Sequence, residues 1–154
     1  MEAYFFDSSS LVKRYTKETG TNFVIEIFKP SASNQIYVTR IALAEVISAL
    51  TRKHRGNFMT AKQFKKAVSR FRRVFKTRFY IIDIDEKIVE NASNLAEKYT
   101  LRGYDSIQLS SALEVEKIRS KAGASSLIFV SADNALNLVA QTENLSVENP
   151  NLYP

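Results

Sequence analysis

Apolar residues recur through residues 60–76 at the spacing of a helix: Phe64, Val68, Phe71 and Phe75 fall at i, i+4, i+7 and i+11. The other faces of that segment carry Lys62, Lys65, Lys66, Arg70, Arg72, Arg73 and Lys76, which predicts an amphipathic helix with a cationic back. Further helical patterns occupy residues 8–16 and 21–29, broken at Gly20, and residues 40–55, stopped by Gly56-Asn57. Residues 86–99, 105–121 and 134–142 complete the helical set. Four short blocks rich in β-branched and aromatic residues read as strands: 3–7, 35–39, 79–83 and 126–131, with 145–147 as a candidate short last strand. Each strand block is nearly continuous in apolar residues, as expected where both sheet faces are covered. Strands alternating with helices predict an α/β chain with a mainly parallel central sheet.

Nothing along the chain divides it: there is no repeat, no low-complexity segment and no linker, so residues 1–154 read as one domain. A chain of this length buries roughly 68–70% of its unfolded surface and needs no covalent staple. The sequence has no cysteine and one histidine, His54. Disulfides and thiolate zinc sites are excluded, and a histidine-based nucleophilic triad is disfavoured. Metal chemistry would have to use oxygen ligands. No basic, apolar leader opens the sequence and no apolar run reaches the length of a membrane span, which predicts a soluble, cytoplasmic protein without membrane attachment.

Charge is unevenly placed. Residues 27–82 hold thirteen Lys or Arg and one acid, a net of +12, while the rest of the chain holds nine against fifteen, a net of −6. Such a split points to a polyanionic partner on one face, with a merely solvated surface as the bland alternative. The single acid of the basic stretch, Glu45, lies among Ile41, Ala44, Val46 and Ile47. A carboxylate in apolar company is costly unless paired. Its candidate partners are Arg40, Arg52 or a metal ion.

The chain has only five aspartates. Asp7 closes the first strand block, Asp133 follows the fourth, and Asp105 opens the helical pattern at 105–121. Open α/β sheets bind ligands outside the carboxyl ends of their strands, so Asp7 and Asp133 are placed for chemistry. Each of the three also precedes a helix, where Asp is a favoured N-cap. Asp83 and Asp85 read as strand-end and cap residues. Glu45, read as a mid-helix residue, caps nothing and favours a shared site. Four acids gathered together would raise at least one pKa, a penalty that a hard divalent cation such as Mg²⁺ or Mn²⁺ removes.

Four segments carry a family resemblance: Phe5-Phe-Asp-Ser-Ser-Ser-Leu-Val-Lys-Arg-Tyr15, Leu43-Ala-Glu-Val-Ile-Ser-Ala-Leu50, Leu101-Arg-Gly-Tyr-Asp-Ser-Ile-Gln-Leu-Ser-Ser-Ala-Leu113 and Phe129-Val-Ser-Ala-Asp-Asn-Ala-Leu136. In this order they resemble the PIN-domain family, and in spacing the VapC-type toxin ribonucleases of prokaryotic toxin–antitoxin pairs. The resemblance implies a three-layer α/β/α sandwich, with Asp7, Glu45, Asp105 and Asp133 as the catalytic and metal-binding acids. Ser131 matches a position that orients the site, and Ser9 is a supporting candidate behind the acids. The implied activity is metal-dependent hydrolysis of RNA phosphodiesters using Mg²⁺ or Mn²⁺. The implied partners are an RNA substrate, a cognate antitoxin protein and a second copy of the chain. The sequence departs from the family pattern at Ser106 and Gln108, where Ala and His are common, which bears on substrate choice rather than on the acids.

Asp105 or Asp133 is a candidate general base. Lys13 and Arg14, one helical turn beyond Asp7, are candidate phosphate contacts, with simple solvation as the alternative for both. Two rivals stand beside the nuclease reading. One is a catalytically inactive PIN-like module that binds RNA or protein. The other is a phosphatase-like domain using Asp7 as phosphoacceptor, which would want a second Asp where the chain has Ser9. The basic segment 60–76 reads either as an RNA-contact arm or as a dimer face with a solvated back.

Overall fold

A computed structural model describes residues 1–154. The chain begins with β1 (Ala3–Phe6), α1 (Ser8–Leu11), a 3-10 turn (Val12–Arg14) and α2 (Thr21–Phe28). It continues with β2 (Gln35–Thr39), α3 (Ala42–Arg55), α4 (Ala61–Thr77) and β3 (Tyr80–Ile82). Next come α5 (Glu86–Tyr99), α6 (Gly103–Lys121), β4 (Leu127–Val130), α7 (Asn134–Thr142) and β5 (Ser146–Glu148). The strands form one sheet in the order β3-β2-β1-β4-β5, and every adjacent pair is parallel. The expected α/β/α sandwich is thus present, with the short last strand at its edge. No helix is long and apolar enough to cross a membrane.

Side-chain alternation along the strands divides the interior in two. Phe6, Ile36, Val38 and Val130 face a core built with α1 to α4, where Leu11, Val24, Val46, Leu50 and Phe71 are fully or almost fully buried. Ala3, Phe5, Leu127 and Phe129 face the opposite core with α5, α6 and α7, against Leu109, Ala112 and Leu136. In α4 the predicted stripe is the packing face: Phe71 and Phe75 are buried, and Phe71 meets Tyr15 edge to face at 5.1 Å. Its start is set by a capping box, in which the Thr60 side chain accepts from Gln63 N at 3.1 Å and Gln63 Oε1 accepts from Thr60 N at 2.9 Å.

Most boundaries shift by a residue, and three of the differences bear on the site or its surroundings. The helix expected over 8–16 tightens into a 3-10 turn after Leu11, with Lys13 turned inward. The third helix starts at Ala42 rather than residue 40, because Arg40 N still donates to Ile82 O in the β2–β3 ladder. The sixth helix starts at Gly103, so Asp105 lies inside its first turn and does not cap it.

Gly20 enters α2 with φ of +88°, and a Cβ there would run into the backbone of Pro150. Gly123 has φ of +71° with nothing nearby. Both tolerate the left-handed region through lack of a Cβ, but only Gly20 is also hemmed in. Gly20→Ala is expected to lower the thermal midpoint at least twice as far as Gly123→Ala, read by differential scanning calorimetry. Equal losses would mean that backbone conformation alone requires Gly20.

Candidate active site

The sheet order reverses between β1 and β4, since the chain runs outward through β2 and β3 on one side and through β5 on the other. That switch point is where open parallel sheets leave a crevice beyond their carboxyl edge. Asp7 directly follows β1 there, with its N–H donating to Val130 O at 3.1 Å. Ser131, Ala132 and Asp133 leave β4 beside it. Glu45 comes in from α3 and Asp105 from α6. The four acids line one cavity of about 540 Å³, together with Ser8, Ser9, Gln108, Arg52, Arg102 and Tyr104.

The acids share a structural position as well as a cavity. Asp7 caps α1 by accepting from Ser10 N at 3.0 Å, and Asp133 caps α7 by accepting from Leu136 N at 3.0 Å. Glu45 and Asp105 lie in the first turns of α3 and α6. Glu45 is therefore not mid-helix, a correction that follows from the later start of α3. Four helix N-termini, each with its positive dipole end, converge on a single cluster of carboxylates. Capping and site membership are one arrangement for Asp7 and Asp133, not alternatives.

Asp7 is the most deeply held of the four. It is buried and meets no cation; its oxygens accept from hydroxyls and one amide. Ser9 Oγ donates to Oδ1 at 2.8 Å and to Oδ2 at 3.0 Å, Ser10 Oγ donates to Oδ1 at 3.0 Å, and Ser131 Oγ donates to Oδ2 at 2.6 Å. Burial raises its pKa to about 6 against the opposing pull of those hydrogen bonds. Ser131 also accepts from Asp133 N at 3.1 Å, so one hydroxyl ties the ends of β1 and β4 together. Ser9 accepts from Ala132 N at 3.0 Å in the same way.

Neither arginine pairs with Glu45. Arg40 pairs with Asp83 across the β2–β3 edge, and Arg52 donates to Ser48 at 2.7 Å. Glu45 instead accepts from Ser8 Oγ at 2.9 Å and Gln108 Nε2 at 2.8 Å. Its pKa is raised, first by burial and also by the charge of Asp105. Asp105 is raised by burial and then by Asp133, with Arg102 pulling the other way. The cluster is thus electrostatically loaded: Arg102 offsets it in part, and none of the four acids is held in an ion pair.

Sequence reading missed Ser8 and Ser10 as supports of the acids, although the run Ser8-Ser9-Ser10 directly after Asp7 was the visible signal. Gln108 stood out only as a departure from pattern; its spacing of three from Asp105 places it on the same helical face and delivers it to Glu45. Lys13 does not reach the cavity. Its ammonium is buried against Glu18 at 2.8 Å and Thr19 O at 2.9 Å, which withdraws it as a phosphate contact. Arg14 lines a different cavity, against α4. Asp85 caps α5 as expected, accepting from Ile88 N at 2.9 Å.

The donor set is all oxygen and anionic, which suits a hard divalent cation. No three of the acids stand close enough to hold one ion together. A cation bound through one or two carboxylates, with water completing its shell, is the usual manner of Mg²⁺, and the residues fit that manner.

Parallel topology, the switch-point cavity and the four acids in its lining define the class: an α/β sandwich carrying a carboxylate-lined cavity. The chain matches the PIN-domain model over residues 4–141 and belongs to that family. It is similar to Ribonuclease VapC45 and Ribonuclease VapC49 of Mycobacterium tuberculosis, each 29% identical over 115 residues, or 75% of this chain and 78% of the relative. Its fold is shared with a toxin–antitoxin complex from Klebsiella pneumoniae, at TM-score 0.63 and 20% identity over 96% of this chain and 97% of that one. It is likewise shared with VapBC2 from Rickettsia felis bound to a promoter DNA fragment, at TM-score 0.60 and 18% identity over 96% and 98%.

A raised carboxyl pKa means that the folded state holds its proton longer than the unfolded chain. Stability from Asp7 therefore falls as pH rises from about 4 to about 6 and stays low above that. The ionised group costs the metal-free fold on the order of 2–3 kcal/mol at neutral pH. Asp7→Asn is expected to raise the thermal midpoint at pH 7 in EDTA by several degrees, with the gain vanishing near pH 4. Millimolar Mg²⁺ or Mn²⁺ is expected to stabilise the wild type and leave the variant unmoved. A variant less stable than wild type at pH 7 would show that the carboxylate is a structural asset rather than a loaded site.

Proposed function

We propose that this chain is a metal-dependent endoribonuclease of the toxin type, hydrolysing RNA phosphodiester bonds at the switch-point cavity. The observation that carries the reading is the arrival of Asp7, Glu45, Asp105 and Asp133, from four separate segments, in one cavity without an arginine paired to Glu45. The names of the similar Mycobacterium tuberculosis proteins support ribonuclease chemistry. The toxin–antitoxin titles of the shared-fold structures support an antitoxin as partner. Homodimerisation and a cytoplasmic setting belong to the same proposal.

A bound Mg²⁺ or Mn²⁺ supplies charge neutralisation at the scissile phosphate and a more acidic attacking water. The chain supplies the rest. Asp7, fixed by Ser9, Ser10 and Ser131, is an anchoring ligand whose geometry is set before substrate arrives. Glu45 is aimed by Ser8 and Gln108 and is the second candidate ligand. Asp105, its pKa raised by burial and then by its neighbour Asp133, is the candidate general base for the attacking water. Arg52 and Arg102 stand at the cavity wall, where they meet the substrate phosphate. Ser131 and Ser9 are positioning residues that act through Asp7.

Purified protein incubated with mixed RNA is expected to cut it in Mg²⁺ or Mn²⁺ and to stop in EDTA. Asp7→Asn and Glu45→Gln are each expected to slow cleavage by about a hundred-fold or more, the scale of losing a principal catalytic group. Undiminished cleavage in EDTA or in Asp7→Asn would reject this site. RNA bound by the wild type yet never cut would favour a binding-only module. In cells, expression is expected to arrest growth, with relief by the small open reading frame adjacent to the gene.

A further inference from the structure

Beside the acidic cavity lies a second one of opposite character. It opens between the segment Arg14–Lys17 and the face of α4 that carries Gln63, Lys66, Ala67 and Arg70, with a volume of about 280 Å³. Four cations line it, Arg14, Lys17, Lys66 and Arg70, and no acid does. None of the four takes part in an ion pair. The Nε of Arg14 and the hydroxyl of Tyr15 are both buried there without a hydrogen-bond partner. An unmatched guanidinium donor and an unmatched hydroxyl are each costly. The Arg14 pKa is lowered by burial and by the charge of Arg70, so these two cations already repel one another. An anion in the cavity offsets the repulsion among these cations.

Phe58 stands at the end of the same cavity and is 81% exposed. An aromatic ring held in solvent beside clustered cations has the composition of a stacking platform for an unpaired base. No apolar groove accompanies it of the kind a helical or extended peptide would need. The two cavities share no lining residue, but the chain passes from one to the other within a few residues. Val12 lines the acidic cavity and Arg14, two residues on, lines this one. Along α3, Glu45 lies ten residues before the helix end at Arg55, a span of about 15 Å. Phe58 lies three residues further on.

We infer that Arg14, Lys17, Lys66 and Arg70 form a phosphate-binding subsite, with Phe58 stacking an adjoining base, that anchors single-stranded RNA outside the cleavage cavity. The inference rests on the ribonuclease reading for the identity of the polyanion. It gives the basic α4 a specific face: Lys66 and Arg70 grip the strand, while Lys65 and Arg72 on the opposite side of the helix only solvate it.

Anisotropy of a short fluorescent single-stranded RNA of mixed sequence, measured on the Asp7→Asn protein across a salt series, tests the subsite. Adding Lys66→Gln with Arg70→Gln is expected to weaken binding about ten-fold or more and to flatten the log–log salt slope by roughly 1.4, two phosphates at about 0.7 each. Adding Phe58→Ala is expected to weaken binding by about five-fold or more, with Phe58→Tyr restoring it. Lys65→Gln with Arg72→Gln removes the same charge and is expected to change little. Equal weakening by both pairs would reduce the effect to diffuse charge and overturn the subsite. So would polyglutamate that displaces the RNA at equal charge concentration, which would assign the cavity to an acidic peptide. Cleavage of long RNA in Mg²⁺ by otherwise wild-type protein separates the two readings. Normal cutting at limiting RNA by the Lys66, Arg70 and Phe58 variants sinks the subsite alone. No cutting by any protein, with the binding pattern intact, sinks the nuclease reading alone.

Discussion

A buried carboxylate held only by hydroxyls and one amide is the constraint on which this molecule turns. Asp7 accepts from Ser9, Ser10 and Ser131, and none of those donors carries a charge. Hydrogen bonds of this kind orient a carboxylate without neutralising it. The fold therefore carries an electrostatic cost that a well-packed apolar residue would not impose. Such a cost persists in a protein where the group has work to do. The same hydroxyls stitch the end of β1 to the loop after β4, so the device that aims the carboxylate also closes the switch point of the sheet.

The architecture explains how acids distant in sequence come to share one wall. In a parallel sheet every strand delivers its carboxyl end to the same edge, and every following helix begins there. Asp7 and Asp133 occupy the caps of such helices and Glu45 the first turn of another, while Asp105 arrives in the first turn of α6, which follows α5 rather than a strand. Helix N-termini soften the repulsion among these carboxylates but do not abolish it. That balance leaves a cavity receptive to a hard cation, with Gln108 and Ser8 fixing Glu45, which caps no helix.

Positive charge is segregated just as firmly. The acids stand at the carboxyl edge of the sheet, while α4 packs its aromatic stripe into one core and turns seven Lys or Arg outward. Lys13, the lysine nearest Asp7 in sequence, is spent on Glu18, which Lys53 also meets at 2.9 Å. Four cations without acid partners, Arg14, Lys17, Lys66 and Arg70, line a separate cavity instead.

Element type and order were legible in the chain because apolar periodicity reports burial directly, and here burial follows the simple rule of strands covered on both faces. Asp7, Glu45, Asp105 and Asp133 were visible as acids in unusual positions, and Ser131 and Ser9 through the motifs around them. Periodicity says which way a side chain faces within its own element, but not what it meets across the fold. Only the packed structure could send Arg40 to Asp83 and Arg52 to Ser48, leaving Glu45 to Gln108. Only packing could bury the Lys13 ammonium, and only it could bring Arg14 and Tyr15 against Arg70 with their polar atoms unmatched. Local sequence sets propensity and pattern, whereas partnership between side chains tens of residues apart is decided by which elements the sheet topology places in contact.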